Sequence, residues 1–207
     1  GNSNVIAYAA SAGKSEYSDY SDNIKKLIKK VNIIMPRDDN TREIIRKITG
    51  KETLCVCDPT MLIERNIYKT ELPKILNKKK YLLIYAYEVS KLLRKKIKKY
   101  AKKHSLKIVS AGFYCIWADY NINCKSIELY TLAENAESVI TTTFHGTIFS
   151  ILSKSRFVSI LGSSVNKVSD LLNRFGLRDH LLSEAASYEE FEKVVSENID
   201  RKSTRLN

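Results

Sequence analysis

The sequence has few of the residues that interrupt regular structure, with 7 glycines and 3 prolines among 207 residues. Together with 43% hydrophobic and 28% charged residues, this composition is typical of an ordinary globular protein and argues against extended disorder. No apolar run approaches the ~20 residues of a membrane-spanning helix, and the N-terminus lacks the order of a secretory signal. We therefore expect a cytoplasmic protein with one large or two small domains.

Cysteine is also scarce, and none of the four cysteines forms a CxxC pair. Cys55 and Cys57 are two positions apart, whereas Cys115 and Cys124 lie far downstream. A zinc site needs two close pairs or a combined Cys/His set. The sequence therefore predicts buried or unreactive thiols, and we expect no metal and no cofactor.

Positive charge is in excess, at a formal +12. Most lysines fall on predicted helix faces, above all in 89–104, where apolar residues form one stripe and basic residues fill the rest. A solvated face explains this helix without a partner, and contact with an anionic membrane surface or another polyanion is the alternative. Because no motif for sequence-specific nucleic-acid binding is present, we expect no specific nucleic-acid partner.

Short apolar runs alternate with amphipathic stretches, which is the pattern of parallel strands joined by crossover helices. Strands are predicted at 5–9, 31–35, 53–57, 81–85, 106–110, 138–142 and 156–161. Helices are predicted at 41–49, 127–135, 147–154, 165–175 and 188–198, in addition to the lysine-rich one. For the first of these, Asn40 is the expected N-cap and Gly50 the expected stop. The fold class is α/β, with a Rossmann-like parallel sheet and flanking helices.

A polar stretch at 70–80 interrupts the alternation, contains Pro73 and ends in three lysines. It predicts a boundary between a partial N-terminal α/β region at 1–75 and a Rossmann-like C-terminal domain at 76–207.

The strand at 138–142 leads into the main candidate site, through a threonine-rich turn and then His145 and Gly146, with Thr147 predicted to begin a helix. Ligands of parallel sheets bind beyond the carboxyl ends of the strands, where loops lead into helix N-termini. Unpaired N–H groups and the positive end of a helix favour phosphate or carboxylate, and Gly146 would allow a close approach. From the residues alone, another interpretation is equally open: the threonines only cap the helix, and His145 has a structural role.

The stretch 136–152, AESVITTTFHGTIFSIL, resembles the most recognisable segment of the polysaccharide pyruvyl transferase family. Other segments of the chain also resemble the family and occur in the family's order. They lie at 7–13, 37–38, 58–62, 117–121 and 173–177. Family members normally begin with a longer N-terminal part that carries a Gly-Asn-x-Gly-Asp-like loop. We therefore expect a truncated or naturally short relative that represents half or more of a GT-B-like two-domain enzyme.

This resemblance implies transfer of pyruvate from phosphoenolpyruvate, as a ketal, onto two hydroxyls of a sugar in a cell-surface polysaccharide or its precursor. The expected partners are phosphoenolpyruvate and a saccharide acceptor, either free or lipid-linked. His145 is the candidate general acid, since histidine can deliver a proton near neutral pH.

The substrate-binding candidates include Arg37, matched to the family as a bidentate partner for carboxylate or phosphate, and the helix start at Gly146 and Thr147. Asp58, which more often shapes a turn, is a secondary candidate. Thr143 is included although some family members have arginine at this position, two residues before the histidine.

The sequence leaves two alternatives open. A GT-B-type glycosyltransferase using a nucleotide sugar shares this alternation, but it usually carries paired glutamates seven residues apart. Here Leu152 stands seven residues after His145, and no glutamate occurs between Val139 and Leu161. The second alternative is a non-catalytic saccharide-binding fragment, which Thr143 and the lack of the longer N-terminal part favour.

Overall fold

The computed structural model describes residues 3–68, 70–161 and 165–199 and divides into two compact units, Gly1–Ile63 and Glu64–Asn207. The division falls before the boundary that the polar stretch predicts at 75/76. One reason is that the backbone N–H of Thr70 donates to Thr131 Oγ1 at 2.9 Å, which ties this stretch to a helix of the second unit.

The first unit contains β1 (Ile6–Ala10), α1 (Asp22–Ile28), β2 (Ile33–Pro36) and α2 (Asp39–Thr49), and its two strands pair in parallel. The predicted N-cap of α2, Asn40, is wrong, because the carboxylate of Asp38 accepts the N–H of Thr41 at 2.8 Å and starts the helix earlier. The predicted stop is confirmed. Gly50 ends the helix at φ 72°, the left-handed conformation that glycine tolerates.

The predicted strand at 53–57 is wrong, since the structure has only irregular backbone there. The N–H of Val56 donates to the carbonyl of Pro36 at 2.8 Å, but proline has no N–H with which to return a bond. Leu54, part of the apolar run that suggested a strand, is 83% exposed. An apolar run without a pairing partner therefore stays outside the sheet.

The second unit is built on one parallel sheet in the order β5-β4-β3-β6-β7-β8. Its strands are β3 (Tyr81–Tyr85), β4 (Lys107–Ala111), β5 (Tyr120–Ile122), β6 (Ser138–Thr141), β7 (Phe157–Ile160) and β8 (Leu181–Leu182). Its helices are α3 (Lys91–Lys103), α4 (Ser126–Glu134), α5 (Phe144–Ser153), α6 (Val165–Arg174) and α7 (Tyr188–Ser196). This architecture confirms the α/β, Rossmann-like fold class.

Between β3 and β6 the chain reverses the direction in which it adds strands to the sheet. From β3 it proceeds to β4 and β5 on one side, and it then returns to β6, β7 and β8 on the other. This is the order of doubly wound nucleotide-binding sheets, in which the crevice at the reversal point receives the ligand. The loops that follow β3 and β6 therefore flank the expected binding edge.

Four of the strands in this sheet match their predictions to within a residue or two, namely β3, β4, β6 and β7. In β3, residues 81–84 are fully or almost fully buried, which explains a continuous apolar run on a strand covered on both faces. The edge strands β5 and β8 have three and two residues and no predicted counterpart, because such short segments show no periodicity.

No helix within the described residues has the length and apolar character required to cross a membrane.

Candidate active site

The segment after β6 turns directly into α5, and we call residues 141–147 the β6–α5 corner. The predicted helix start at Thr147 is wrong, since α5 begins at Phe144 with Thr143 as its N-cap. The reason is local: the hydroxyl of Thr143 accepts the N–H of Gly146 at 2.9 Å and completes the first turn early. His145 consequently lies in the first turn of α5, and its side chain is exposed.

A buried pair of hydroxyls fixes this corner to the neighbouring strand. Thr141 Oγ1 donates to the carbonyl of Tyr85, at the end of β3, at 2.8 Å. The same oxygen accepts the N–H of Thr143 at 3.0 Å, and it lies 3.1 Å from Thr143 Oγ1. Thr143 is 5% exposed, so its role here is to shape the turn rather than to contact a substrate.

Gly146 lacks a side chain because the protein itself occupies the space. A Cβ atom at this position would lie 2.1 Å from Thr141 Oγ1 and 2.8 Å from Thr143 Oγ1. The sequence predicted that this glycine allows the close approach of a ligand, whereas the structure explains it by the packing of Thr141 and Thr143. Its N–H, bonded to Thr143, stabilises the turn.

Thr147 is fully buried and links α5 to β7. Its hydroxyl donates to the carbonyl of Thr143 at 3.0 Å and shares a hydrogen bond with Ser159 Oγ at 2.7 Å. The sequence predicted that the backbone N–H of Thr147 would face an anion, whereas in the structure this N–H donates to the carbonyl of Thr143 at 3.2 Å. We therefore assign Thr147 a positioning role. Among the predicted residues of this corner, His145 is the exposed one.

The charge of this corner is favourable to an anion. Residues 138–161 include neither aspartate nor glutamate. The N-terminus of α5 adds the positive end of a helix of ten residues. An anion beside His145 would therefore meet no carboxylate from this segment.

Aromatic rings flank the other side of the reversal point, at the ends of β3 and β4. The ring of Phe113 lies 5.3 Å from that of Tyr85 and 4.5 Å from that of Tyr87, measured between centroids. Burial raises the pKa of Tyr85, and nearby Cys124 and Tyr87 add to the effect, so its phenol keeps its proton at neutral pH. Tyr87 is 68% exposed. These rings were not among the predicted site residues.

Two predicted site residues, Arg37 and Asp58, lie in the first unit, where they form an ion pair. The side chain of Asp58 is 3% exposed and that of Arg37 is 19% exposed. Asp58 Oδ1 also accepts the N–H of Thr60 at 3.0 Å, which caps the short turn at Pro59–Leu62. Asp58 thus has the turn-shaping role that the sequence favoured.

Asp38 is a structural residue of the first unit that the sequence analysis did not select. It is 2% exposed and accepts hydrogen bonds from the N–H and hydroxyl of Thr41 and, at 2.6 Å, from the hydroxyl of Ser11. Its position between an apolar strand and an amphipathic helix was the available signal, because aspartate is a preferred N-cap.

Comparison with solved structures supports the fold. A UDP-GlcNAc 2-epimerase from Methanocaldococcus jannaschii, in complex with UDP-GlcNAc and UDP, matches with a TM-score of 0.56 and 10% identity over 84% of this chain. The chain spans 59% of the length of that structure. At this identity the likeness concerns architecture alone.

Two further structures show weaker likeness. A putative UDP-N-acetylglucosamine 2-epimerase from Listeria monocytogenes has a TM-score of 0.45 and 10% identity, covering 97% of this chain and 63% of its own. The glycosyltransferase SnogD from Streptomyces nogalater has a TM-score of 0.38 and 14% identity, covering 78% of this chain and 56% of its own. Among curated proteins there is no significant match.

A family model provides the decisive comparison. The model described as polysaccharide pyruvyl transferase matches residues 1–164, which include both units' candidate residues and the whole β6–α5 corner. This confirms the resemblance that the Thr-Phe-His-Gly-Thr segment suggested. The chain belongs to the polysaccharide pyruvyl transferase family.

Proposed function

We propose that the chain is the donor-binding part of an enzyme that transfers pyruvate from phosphoenolpyruvate to a saccharide as a ketal. The observation that carries this proposal is the exposed His145 in the first turn of α5, at the reversal point of the sheet. Family membership supports the reaction class.

The donor is an anion with a phosphate and a carboxylate, and the β6–α5 corner offers it a favourable field. Helix N-termini attract such groups through their N–H donors and the helix dipole. The segment 138–161 contributes no carboxylate that would oppose binding. We therefore propose that phosphoenolpyruvate binds beside His145.

The first chemical step requires a proton at the methylene carbon of the enol. We propose that His145 donates this proton as a general acid while one sugar hydroxyl adds to the neighbouring carbon and loses its own proton. The second sugar hydroxyl then displaces phosphate from the same carbon and releases its proton. The products are the cyclic pyruvate ketal and inorganic phosphate, so atoms and charges balance.

An aromatic surface next to the donor suits a sugar acceptor. Tyr87 lies in the loop after β3 and is 68% exposed, and the centroid of the Phe113 ring lies 4.5 Å from that of Tyr87, with the two rings tilted by 57°. Aromatic rings combine an apolar face with a polar edge, which matches the C–H and hydroxyl faces of a pyranose. We propose that the acceptor saccharide lies on this side of the reversal point.

Arg37 stays a prediction as a ligand of the donor. Its ion pair with the buried Asp58 fixes the guanidinium within the first unit. An arginine presents five N–H donors, so one carboxylate partner does not exhaust its capacity to bind an anion.

The reaction is tested by measuring phosphate release from phosphoenolpyruvate with and without a panel of saccharide acceptors. We expect release only with a suitable acceptor, and a loss of about a hundredfold or more in His145→Ala, the usual scale of general acid catalysis. In D2O, the methyl group of the ketal should carry one deuterium.

A matched control is His104→Ala, which removes another exposed histidine, at the end of α3, where it contacts Glu192 at 3.2 Å. This variant should keep full activity. Full activity in His145→Ala would overturn the general-acid role. Thermal stabilisation by UDP-GlcNAc but not by phosphoenolpyruvate would favour the glycosyltransferase alternative, and stabilisation by neither would favour a non-catalytic fragment.

A further inference from the structure

Helix α3 presents an unusually basic outer surface. Its sequence, KLLRKKIKKYAKK, contains eight lysine or arginine residues and no acidic residue. We use the name α3 basic face for its exposed lysines, which are Lys91, Lys95, Lys98, Lys99, Lys102 and Lys103.

The opposite side of α3 is anchored in the core, so the orientation of the basic face is fixed. Leu93 and Ile97 have no exposed surface, and Tyr100 is 3% exposed. Lys96 also faces inward, where its ammonium donates to the carbonyl of Glu184 at 2.6 Å and to that of Ala186. The helix therefore cannot rotate to hide its exposed lysines without breaking these contacts.

Large apolar side chains protrude beside this basic face. Tyr114 and Ile116, in the loop after β4, are each 81% exposed, and Leu92 on α3 itself is 49% exposed. The loop adjoins the helix at Trp117, whose ring centroid lies 5.4 Å from Arg94 Cζ and 6.0 Å from Lys98 Nζ. Trp117 thus connects the loop that carries Tyr114 and Ile116 to the α3 basic face.

We propose that this surface docks on an anionic lipid bilayer. Lysines are attracted to the negative surface potential of the bilayer, and exposed aliphatic and aromatic side chains enter the boundary between headgroups and acyl chains. An acidic polymer would bind the lysines but would leave Ile116 and Tyr114 in water. The combination of both groups is the feature that favours a membrane.

The docking surface adjoins the candidate active site. The loop that carries Tyr114 and Ile116 follows β4 at the carboxyl edge of the sheet, the edge at which His145 follows β6. Docking through this loop holds that edge close to the bilayer. Membrane attachment does not depend on the proposed reaction, and it can be measured without any substrate.

The test is cosedimentation of the chain with vesicles of phosphatidylcholine alone or with about 30 mol% phosphatidylglycerol. We expect binding to the anionic vesicles only, falling steeply as salt is raised through the physiological range. The triple variant Lys95→Glu, Lys98→Glu and Lys102→Glu should weaken binding more than tenfold. Equal binding by this variant and the parent would overturn the proposal.

A control of equal charge is available in the first unit. Lys26, Lys29 and Lys30 are exposed at the end of α1, and their replacement by glutamate changes the net charge by the same amount. This control should keep most of the vesicle binding. A loss as large as that of the α3 variant would show that net charge, not this surface, governs binding, and would also overturn the proposal.

A second variant separates a bilayer from an acidic polymer. Tyr114→Ser with Ile116→Ser should weaken vesicle binding about tenfold and leave binding to heparin unchanged, because it removes apolar anchors and no charge. Unchanged vesicle binding would contradict the bilayer and favour a polyanion. Because all the substituted side chains are exposed, unaltered circular dichroism and melting temperature provide the folding check.

Discussion

The two units contain similar corners between a strand and a helix. In the first unit, β2 leads through Arg37 into α2, and Asp38 caps this helix. In the second unit, β6 leads into α5, and Thr143 caps this helix. Both corners stand at the carboxyl end of a parallel strand, and both caps are buried. The first carries the carboxylates of Asp38 and Asp58 with one guanidinium, whereas the second is capped by hydroxyls and exposes His145.

The difference teaches that position alone does not make an anion site. A carboxylate cap and a hydroxyl cap both satisfy the first turn of a helix, but only the hydroxyl leaves the positive helix end without a fixed negative charge beside it. In the corner of the first unit, the carboxylate of Asp58 forms an ion pair with Arg37. In the corner of the second unit, the segment 138–161 contributes no carboxylate.

The largest expected effect comes from breaking the ion pair of the first unit. Arg37→Met leaves the carboxylate of Asp58 buried without its guanidinium, so we expect a loss of about 2–3 kcal/mol in the stability of that unit. Hydrogen exchange of the amides in α2 measures this loss. Retained stability with weakened binding of phosphoenolpyruvate would instead assign Arg37 to the donor.

The next effect compares two glycines, Gly146 in the first turn of α5 and Gly50 at the end of α2. Gly146→Ala should destabilise the second unit by about 2 kcal/mol, because its Cβ would lie 2.1 Å from Thr141 Oγ1. Gly50→Ala, with nothing within 4 Å of its Cβ, should cost only about 1 kcal/mol for its positive φ. Chemical denaturation gives both values. Equal costs would contradict the packing account of Gly146.

Converting one corner into the other gives a sharper test. Thr143→Asp keeps a good N-cap but introduces the carboxylate that the first unit has at Asp38. We expect phosphoenolpyruvate to bind at least about tenfold more weakly, which corresponds to about 1.4 kcal/mol. Isothermal titration calorimetry measures the change, with Thr143→Ser as the control. Unchanged affinity in the aspartate variant would mean that the donor binds elsewhere.

The smallest effect is expected at the cap of the first unit. Asp38→Asn removes the charge while keeping an oxygen that accepts the N–H of Thr41, so we expect a loss of about 1 kcal/mol. Binding of phosphoenolpyruvate should not change, and thermal denaturation with and without ligand checks both statements. A weaker affinity in this variant would contradict the assignment of the donor to the β6–α5 corner.

The sequence predicted the central strands and the candidate corner because these depend on local patterns. Strand β3 is buried on both faces, so its apolar run is continuous and easily recognised. By contrast, the run containing Leu54 is apolar and exposed, which no local pattern distinguishes from a buried strand. Pairing is a long-range property.

The start of α5 shows a finer limit. Three consecutive threonines signalled a cap, but the choice of Thr143 depends on the room that Gly146 leaves for Thr141 and Thr143. The role of Thr147 depends on Ser159, a residue of the next strand. Such contacts between elements decide which residues shape a site and which are exposed to a ligand. The sequence therefore identified His145 as a candidate, but it could not show that the neighbouring candidates are buried.

The most direct test of the central claim is the histidine ring spectrum of the isotopically labelled chain during titration with phosphoenolpyruvate. The chain has three histidines, His104, His145 and His180, and His145→Ala identifies the relevant signal. We expect phosphoenolpyruvate to shift the signal of His145 in a saturable manner and to leave those of His104 and His180 in place. A His145 signal that stays fixed while phosphoenolpyruvate binds would contradict a donor site at the β6–α5 corner.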